Sequence, residues 1–260
     1  MLLNYLQKQT ALNEVDQKVE NIFVIHGLFG DLSNLTGLIT SLQPYHNVIS
    51  VDLRNHGNSS HSPHMSYQDM ANDLLELADH LNIENFSIIG HSMGGKVAMT
   101  CALQQPERIN KLVVADIAPV AYAEKHLDIF KGLQALTAEQ IESRKSADLL
   151  LGEYIKTAEI RQFLLKSLQV KEGKYQLKFN LAAIIANYSS IRGWIKTDNV
   201  FNKESLFIKG ADSDYILPEH KTDILRLFPK AKAKVISNTG HWLHIEKANI
   251  FNRLVVQFFN

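Results

Sequence analysis

Gly90-His91-Ser92-Met93-Gly94 is the stretch of this chain with the most chemistry in it. A serine hydroxyl attacks a carbonyl carbon only when a base takes its proton and the backbone exposes its oxygen. An apolar run, Phe86-Ser87-Ile88-Ile89, precedes the serine, and a helical run from Lys96 to Gln104 follows it. Strand, G-x-S-x-G, helix is the context in which such a serine sits on a sharp turn. The two glycines permit the turn, because a side chain at either position would crowd the neighbouring backbone. The turn also aims the Met93 N–H and the helix start at the space above Ser92. Negative charge collects there on a carbonyl oxygen under attack.

A rival pattern overlaps the same residues. Gly90 to Lys96 fits G-x-x-x-x-G-K, a phosphate-binding loop, and Leu112-Val113-Val114-Ala115-Asp116 could pass for the strand that ends in a magnesium-binding aspartate. The match breaks at Val97, where a phosphate loop needs the Ser or Thr hydroxyl that reaches Mg²⁺.

A serine nucleophile needs a base, and the base needs a partner that sets its tautomer and stabilises its cation. Of the 11 histidines, His241 is singled out by position. It follows Thr239-Gly240 directly after the last strand and precedes the last helix. His244, three residues on, is expected to pack or cap. Three aspartates are eligible as the acid: Asp116 after one strand, Asp212 and Asp214 after the next. Asp116 follows a wholly apolar run and is the least like a casual surface charge. The second oxyanion donor belongs in the loop His26-Gly27-Leu28-Phe29-Gly30 after the first buried strand. The Leu28 N–H is the first choice and Phe29 the fallback, with His26 read as a structural hydrogen-bonder.

These residues need a scaffold that brings them to one edge. Ile22-Phe23-Val24-Ile25, Val48-Ile49-Ser50-Val51, Phe86 to Ile89 and Leu112 to Ala115 are short apolar runs, read as buried strands. Between them lie helical patterns. Leu35, Leu38, Ile39 and Leu42 recur at helical spacing up to Pro44. Ser66 with Asp69 opens a helix carrying Met70, Leu74, Leu77 and Leu81 on one face. Alternation of this kind predicts an α/β fold with a mostly parallel central sheet flanked by helices. Ligands bind beyond the carboxyl ends of such strands, where His26, Asp52, Ser92 and Asp116 all fall. From about 121 to 194 the alternation stops. Leu127, Phe130, Leu133 and Leu136, then Leu149, Leu150 and Tyr154, then Phe163, Leu164 and Leu168, recur at helical spacing; Lys174 to Leu177 reads as a brief extended piece. The reading is a core of residues 1–119 and 197–260 with a helical cap, 120–196, inserted over the strand ends. Strands resume with Leu206-Phe207-Ile208 and Lys234-Val235-Ile236, and a last amphipathic helix starts near Glu246.

Composition removes some functions. Lys plus Arg and Asp plus Glu number 27 each, so no overall field draws the chain to nucleic acid or to an anionic membrane. The single cysteine, Cys101, cannot form an internal disulfide and sits among small residues of a helix. The start, Met1 to Leu6, is too short and interrupted for a signal-peptide core, and no run reaches the length of a membrane-spanning helix. A cytoplasmic location is expected.

In order along the chain stand His26-Gly27, the D-L-R-x-H-G-x-S stretch from Asp52 to Ser59, G-H-S-M-G-G from Gly90 and G-H-W from Gly240. Together they resemble the α/β-hydrolase fold over nearly the whole chain. Val51 to Gly57, Gly90 to Lys96 and Asp116-Ile117-Ala118-Pro119 look like the YbfF-type bacterial esterases, which act on short-acyl esters and acyl-CoA thioesters. The resemblance implies Ser92 as nucleophile and His241 as base. The wider fold usually bears its acid three residues after the glycine that ends the penultimate strand. That glycine is Gly210 here, and the third residue on is Ser213. In YbfF-type enzymes the acid stands at the end of the preceding strand, which implies Asp116, with Asp212 and Asp214 as alternatives. The Asp52-Arg54-His56 stretch is implied to be a structured loop, against a substrate contact by Arg54.

The function expected is a serine hydrolase that cleaves a small-molecule carboxylic ester or acyl-CoA thioester through an acyl-enzyme, with Leu28 and Met93 amides holding the oxyanion. No metal or cofactor is called for. A carbon–carbon bond hydrolase with the same triad, or a non-catalytic binding protein on the same fold, are the alternatives.

Overall fold

The computed structural model describes residues 1–12 and 19–260. The chain opens with strands β1 (Tyr5–Lys8) and β2 (Asn21–Ile25), then helix α1 (Thr36–Leu42), β3 (Asn47–Val51), α2 (Tyr67–His80), β4 (Phe86–His91), α3 (Met93–Gln104) and β5 (Ile109–Ala115). An inserted stretch follows, with α4 (Leu127–Ala138), α5 (Arg144–Tyr154), α6 (Ala158–Lys166), strands β6 (Leu168–Lys171) and β7 (Lys174–Leu177), α7 (Leu181–Ala186) and α8 (Tyr188–Arg192). The chain closes with β8 (Ser205–Gly210), α9 (Lys221–Leu227), β9 (Ala231–Ile236), α10 (Leu243–Glu246) and α11 (Ala248–Phe259).

Among the described residues the main sheet runs β1-β3-β2-β4-β5-β8-β9. All neighbours are parallel except β1, which pairs antiparallel with β3 at the edge. Side chains alternate across a strand, and the two faces of this sheet are both covered. Ile22 and Val24 of β2 pack with Leu38, Ile39, Phe251 and Val255 of α1 and α11. Phe23 and Ile25 belong to the opposite face with Met70 and Leu74 of α2 and Val97 and Met99 of α3. This two-sided burial is why the central strands read as unbroken apolar runs.

Several local expectations hold. Ser66 and Asp69 form the capping box of α2, with Oγ of Ser66 accepting from the Asp69 N–H at 3.1 Å and the Asp69 carboxylate accepting from the Ser66 N–H at 3.0 Å. Cys101 is buried in α3. Others need correction. β1 has no apolar signature because an edge strand is half exposed. Helix α6 ends at Lys166, so Leu168 does not continue its face but opens a small antiparallel ribbon with β7. In α5 the buried side chains are Ala147 and Leu151, and Leu149 is 68% exposed. Leu127 likewise faces outward while Phe130, Leu133 and Leu136 are buried. The last helix begins at Ala248, with Glu246 in the short α10 before it.

Among the described residues no helix is long and apolar enough to cross a membrane.

Candidate active site

Ser92 occupies the turn between β4 and α3 with φ 52° and ψ −120°. A non-glycine residue in this region is strained, and such strain persists where the surroundings over-determine it. Here the surroundings are tight. A Cβ on Gly90 would lie 2.1 Å from the Gly94 carbonyl oxygen, and one on Gly94 would lie 2.4 Å from the His26 carbonyl oxygen. The turn is therefore pressed against both α3 and the end of β2.

His241 reaches this turn from the far end of the chain. Its Nε2 lies 2.9 Å from Ser92 Oγ, and its Nδ1 lies 2.8 Å from Asp116 Oδ2. The Asp116 side chain is fully buried and that of His241 is 16% exposed. Asp116 also accepts from the Gly210 N–H at 3.0 Å and from the Ser213 hydroxyl. A carboxylate held by several donors keeps a fixed orientation toward the imidazole. The other two aspartates do not join this group. Asp212 is exposed, and Asp214 pairs with Lys125 at 2.6 Å.

The loop carrying His241 is positioned by residues that local patterns did not reveal. β8 and this loop approach so closely that a Cβ on Gly210 would lie 2.1 Å from the Gly240 carbonyl oxygen. Glu246 accepts from the Gly240 N–H at 2.9 Å and the Thr239 hydroxyl at 3.1 Å. His91 Nε2–H donates to the His241 carbonyl at 2.9 Å. The Tyr215 ring stacks on the His241 ring, centroids 3.9 Å apart and planes 21° apart. Each of these contacts joins residues distant in sequence or on different elements.

The two candidate oxyanion amides differ from the fallback. Phe29 N–H donates to His56 Nε2 at 3.2 Å. The N–H groups of Leu28 and Met93 donate to no acceptor among the described residues. Both residues border the space at Ser92. His26 behaves as a structural hydrogen-bonder: Nε2 accepts from the Leu53 N–H at 3.1 Å, so its Nδ1–H donates to the Gly27 carbonyl at 2.7 Å. Arg54 forks onto Asp73 at 2.6 and 2.8 Å and sits away from the space above Ser92, in a buried pair. Asp52 accepts from Asn4, Leu32 and Asn58 and so ties the adjacent loops.

Three buried histidines beside the site, His244, His91 and His126, are held neutral. Burial pushes His244 down to about 3, helped by the neighbouring His241. His91 is driven well down by burial and by His244 and His241. His126 is pushed to about 4, mainly by burial. His244 packs edge-on against His91, centroids 4.3 Å apart. Among the described residues no group of three or more His, Cys, Asp or Glu is placed to hold a metal ion.

A parallel sheet wrapped on both faces, with a serine at a strained strand-to-helix turn facing a histidine from the last loop, defines the class. Residues 20–248 match the family model described as alpha/beta hydrolase fold, and the chain belongs to that family. Its relatives include "Putative esterase/lipase" of Haemophilus influenzae (strain ATCC 51907 / DSM 11121 / KW20 / Rd), 40% identical over 262 residues, covering 100% of this chain and 88% of that one. "Esterase YbfF" of Escherichia coli (strain K12) is 38% identical over 261 residues, covering 100% of both. Among solved structures, "Marine microorganism esterase" superposes with a TM-score of 0.92 at 36% identity, over 99% of each chain. The chain is a member of the alpha/beta hydrolase family, and the Haemophilus and Escherichia relatives carry esterase and lipase names.

Proposed function

We propose that the protein hydrolyses carboxylic esters through an acyl-enzyme on Ser92, with acyl-CoA thioesters as a second substrate class of the same carbonyl chemistry. The observation that carries this reading is the continuous hydrogen-bonded line from Ser92 Oγ through His241 to Asp116, at 2.9 and 2.8 Å.

In the first half-reaction His241 Nε2 takes the Ser92 proton as Oγ bonds to the carbonyl carbon. The carbonyl oxygen becomes an oxyanion, held by the Leu28 and Met93 N–H groups. Asp116 keeps the His241 Nδ1–H toward itself and stabilises the imidazolium. The tetrahedral species then collapses. The bond from carbon to the leaving oxygen or sulfur breaks, and His241 Nε2–H gives its proton to the departing group. Water repeats the sequence on the acyl-enzyme, and the free acid leaves with Ser92 restored. Residues 120–196 act as a cap over this site: Ile129, Ile160, Phe163 and Leu164 of that stretch line the space beside His241.

The test is hydrolysis of p-nitrophenyl butyrate together with covalent labelling by a serine-directed phosphonate. The wild-type protein is expected to turn over and to label. Ser92→Ala is expected to do neither, with a loss of about 10⁶ in kcat. Equal turnover and labelling in Ser92→Ala would overturn the assignment.

A further inference from the structure

Lys96 completes the G-x-x-x-x-G-K pattern, and the chemistry proposed above leaves it without a part. It lies one turn beyond Ser92 on α3 and is only 1% exposed. Its ammonium donates to three backbone carbonyls: Val120 at 2.7 Å, Gly193 at 2.5 Å and Arg192 at 3.3 Å. Three N–H donors thus meet three acceptors. Around it stand the rings of Tyr122, Tyr67 and Trp194, with centroids 4.7, 5.4 and 6.0 Å from Nζ. Burial pushes the ammonium down to about 7. The carbonyls belong to the two ends of the stretch inserted between β5 and β8, so Lys96 fastens both of them to the helix that begins at Ser92. A nitrogen so engaged cannot cradle a phosphate.

Two small cavities meet at Ser92, each about 50 Å³ and each bordered by Leu28 and His126. One is lined by His241, Trp242 and His244. The other is lined by Met93, Lys96, Ile117, Tyr122 and Tyr215. The leaving group must take its proton from His241 Nε2, so it belongs on the side that His241 lines. The acyl chain is left with the side that Lys96 lines.

We infer that Lys96 is a specificity-determining residue, a plug that closes the acyl side of the site and limits it to short acyl chains. This rests on the ester hydrolysis at Ser92 proposed above. An apolar side chain of the same length would fill the space without the cost of burying an ammonium. The ammonium adds attachment of a different kind: it ties both ends of the insertion to α3, while the bulk of the side chain fills the acyl side.

The test compares kcat/KM for p-nitrophenyl acetate, butyrate and octanoate in wild type, Lys96→Ala and Lys96→Met, with phosphonate titration of Ser92 to count folded sites. Wild type is expected to favour the short esters. Lys96→Ala is expected to raise the octanoate-to-acetate ratio by about tenfold or more. Lys96→Met, close to lysine in volume, is expected to keep the wild-type order. An unchanged ratio in Lys96→Ala with intact titration, or the same shift in Lys96→Met, overturns the plug while leaving the hydrolase reading standing. Absence of both turnover and labelling in wild type overturns both. If Lys96→Ala yields no titratable sites, the butylphosphonate adduct of wild type decides. Its butyl chain is expected against Lys96, and a butyl chain beside His244 refutes the assignment.

Discussion

The Ser213 hydroxyl donates to Asp116 Oδ2, the oxygen that also faces His241 Nδ1. Ser213, three residues after Gly210, thus bears a hydroxyl that supports a carboxylate supplied by another strand. Both positions lie at the carboxyl edge of the sheet, Asp116 after β5 and Ser213 after β8, and these strands are direct neighbours. Either could therefore present a carboxylate to the same imidazole.

Asp116→Asn is expected to leave the fold intact and to lower kcat by about 10⁴, because an amide supports the wrong His241 tautomer. Asp212→Asn and Asp214→Asn should stay within about threefold of wild type, given one exposed carboxylate and one paired to Lys125. Steady-state kinetics on p-nitrophenyl butyrate distinguishes them. A large loss in either downstream variant with little loss in Asp116→Asn would move the acid.

Ser213→Asp placed in the Asp116→Asn background should recover part of the activity, about tenfold or more over Asp116→Asn alone. The reason is positional: the Ser213 hydroxyl already touches the atom that touches His241. No recovery, with circular dichroism showing a folded protein, would mean that a carboxylate there cannot reach the ring.

Arg54→Ala should cost stability rather than activity. Arg54 and Asp73 are both buried, with side-chain exposures of 8% and 2%, and removing the guanidinium leaves the buried carboxylate with the Met1 ammonium as its remaining cation. The expected loss is about 3 kcal/mol in urea unfolding, with kcat/KM within about threefold of wild type at temperatures where the variant is folded. A selective rise in KM would instead indicate contact with substrate.

Acid should unfold the protein through its histidines before its carboxylates. His56 and His244 are pushed to about 3 and His126 to about 4, chiefly by burial. The unfolded chain takes up these protons near pH 6.5, the folded one only well below. Stability therefore falls as pH drops through that window, by about 1–2 kcal/mol for each such histidine at pH 5. Urea unfolding at pH 7 and pH 5 measures it. An unchanged free energy between the two would contradict the burial of neutral imidazoles.

Much of this molecule is legible from local pattern. The strand–turn–helix around Ser92, the buried strands and the placement of His26, Asp116 and His241 past strand ends all follow from short-range periodicity and turn chemistry. Periodicity is weaker where packing is one-sided. In α5 the helical spacing admits both Leu149 and Leu151, and only contact with the other helices of the insertion selects Leu151. β1 has too few buried side chains to announce itself.

Among the three aspartates, residue type and strand ends alone left the choice open. In the fold it is Asp116 that lies beside His241, through contacts that span 125 residues for His241 with Asp116 and 97 for Ser213 with Asp116. Lys96 makes the same point from the other side: by sequence it completes a phosphate-loop pattern, and in the fold its ammonium belongs to carbonyls 24 to 97 residues away. Local sequence determines which backbone shapes and which face each segment offers, because those depend on neighbours a few residues apart. Which side chains finally meet depends on strand order and on how the insertion is tied down, and only the assembled sheet decides that.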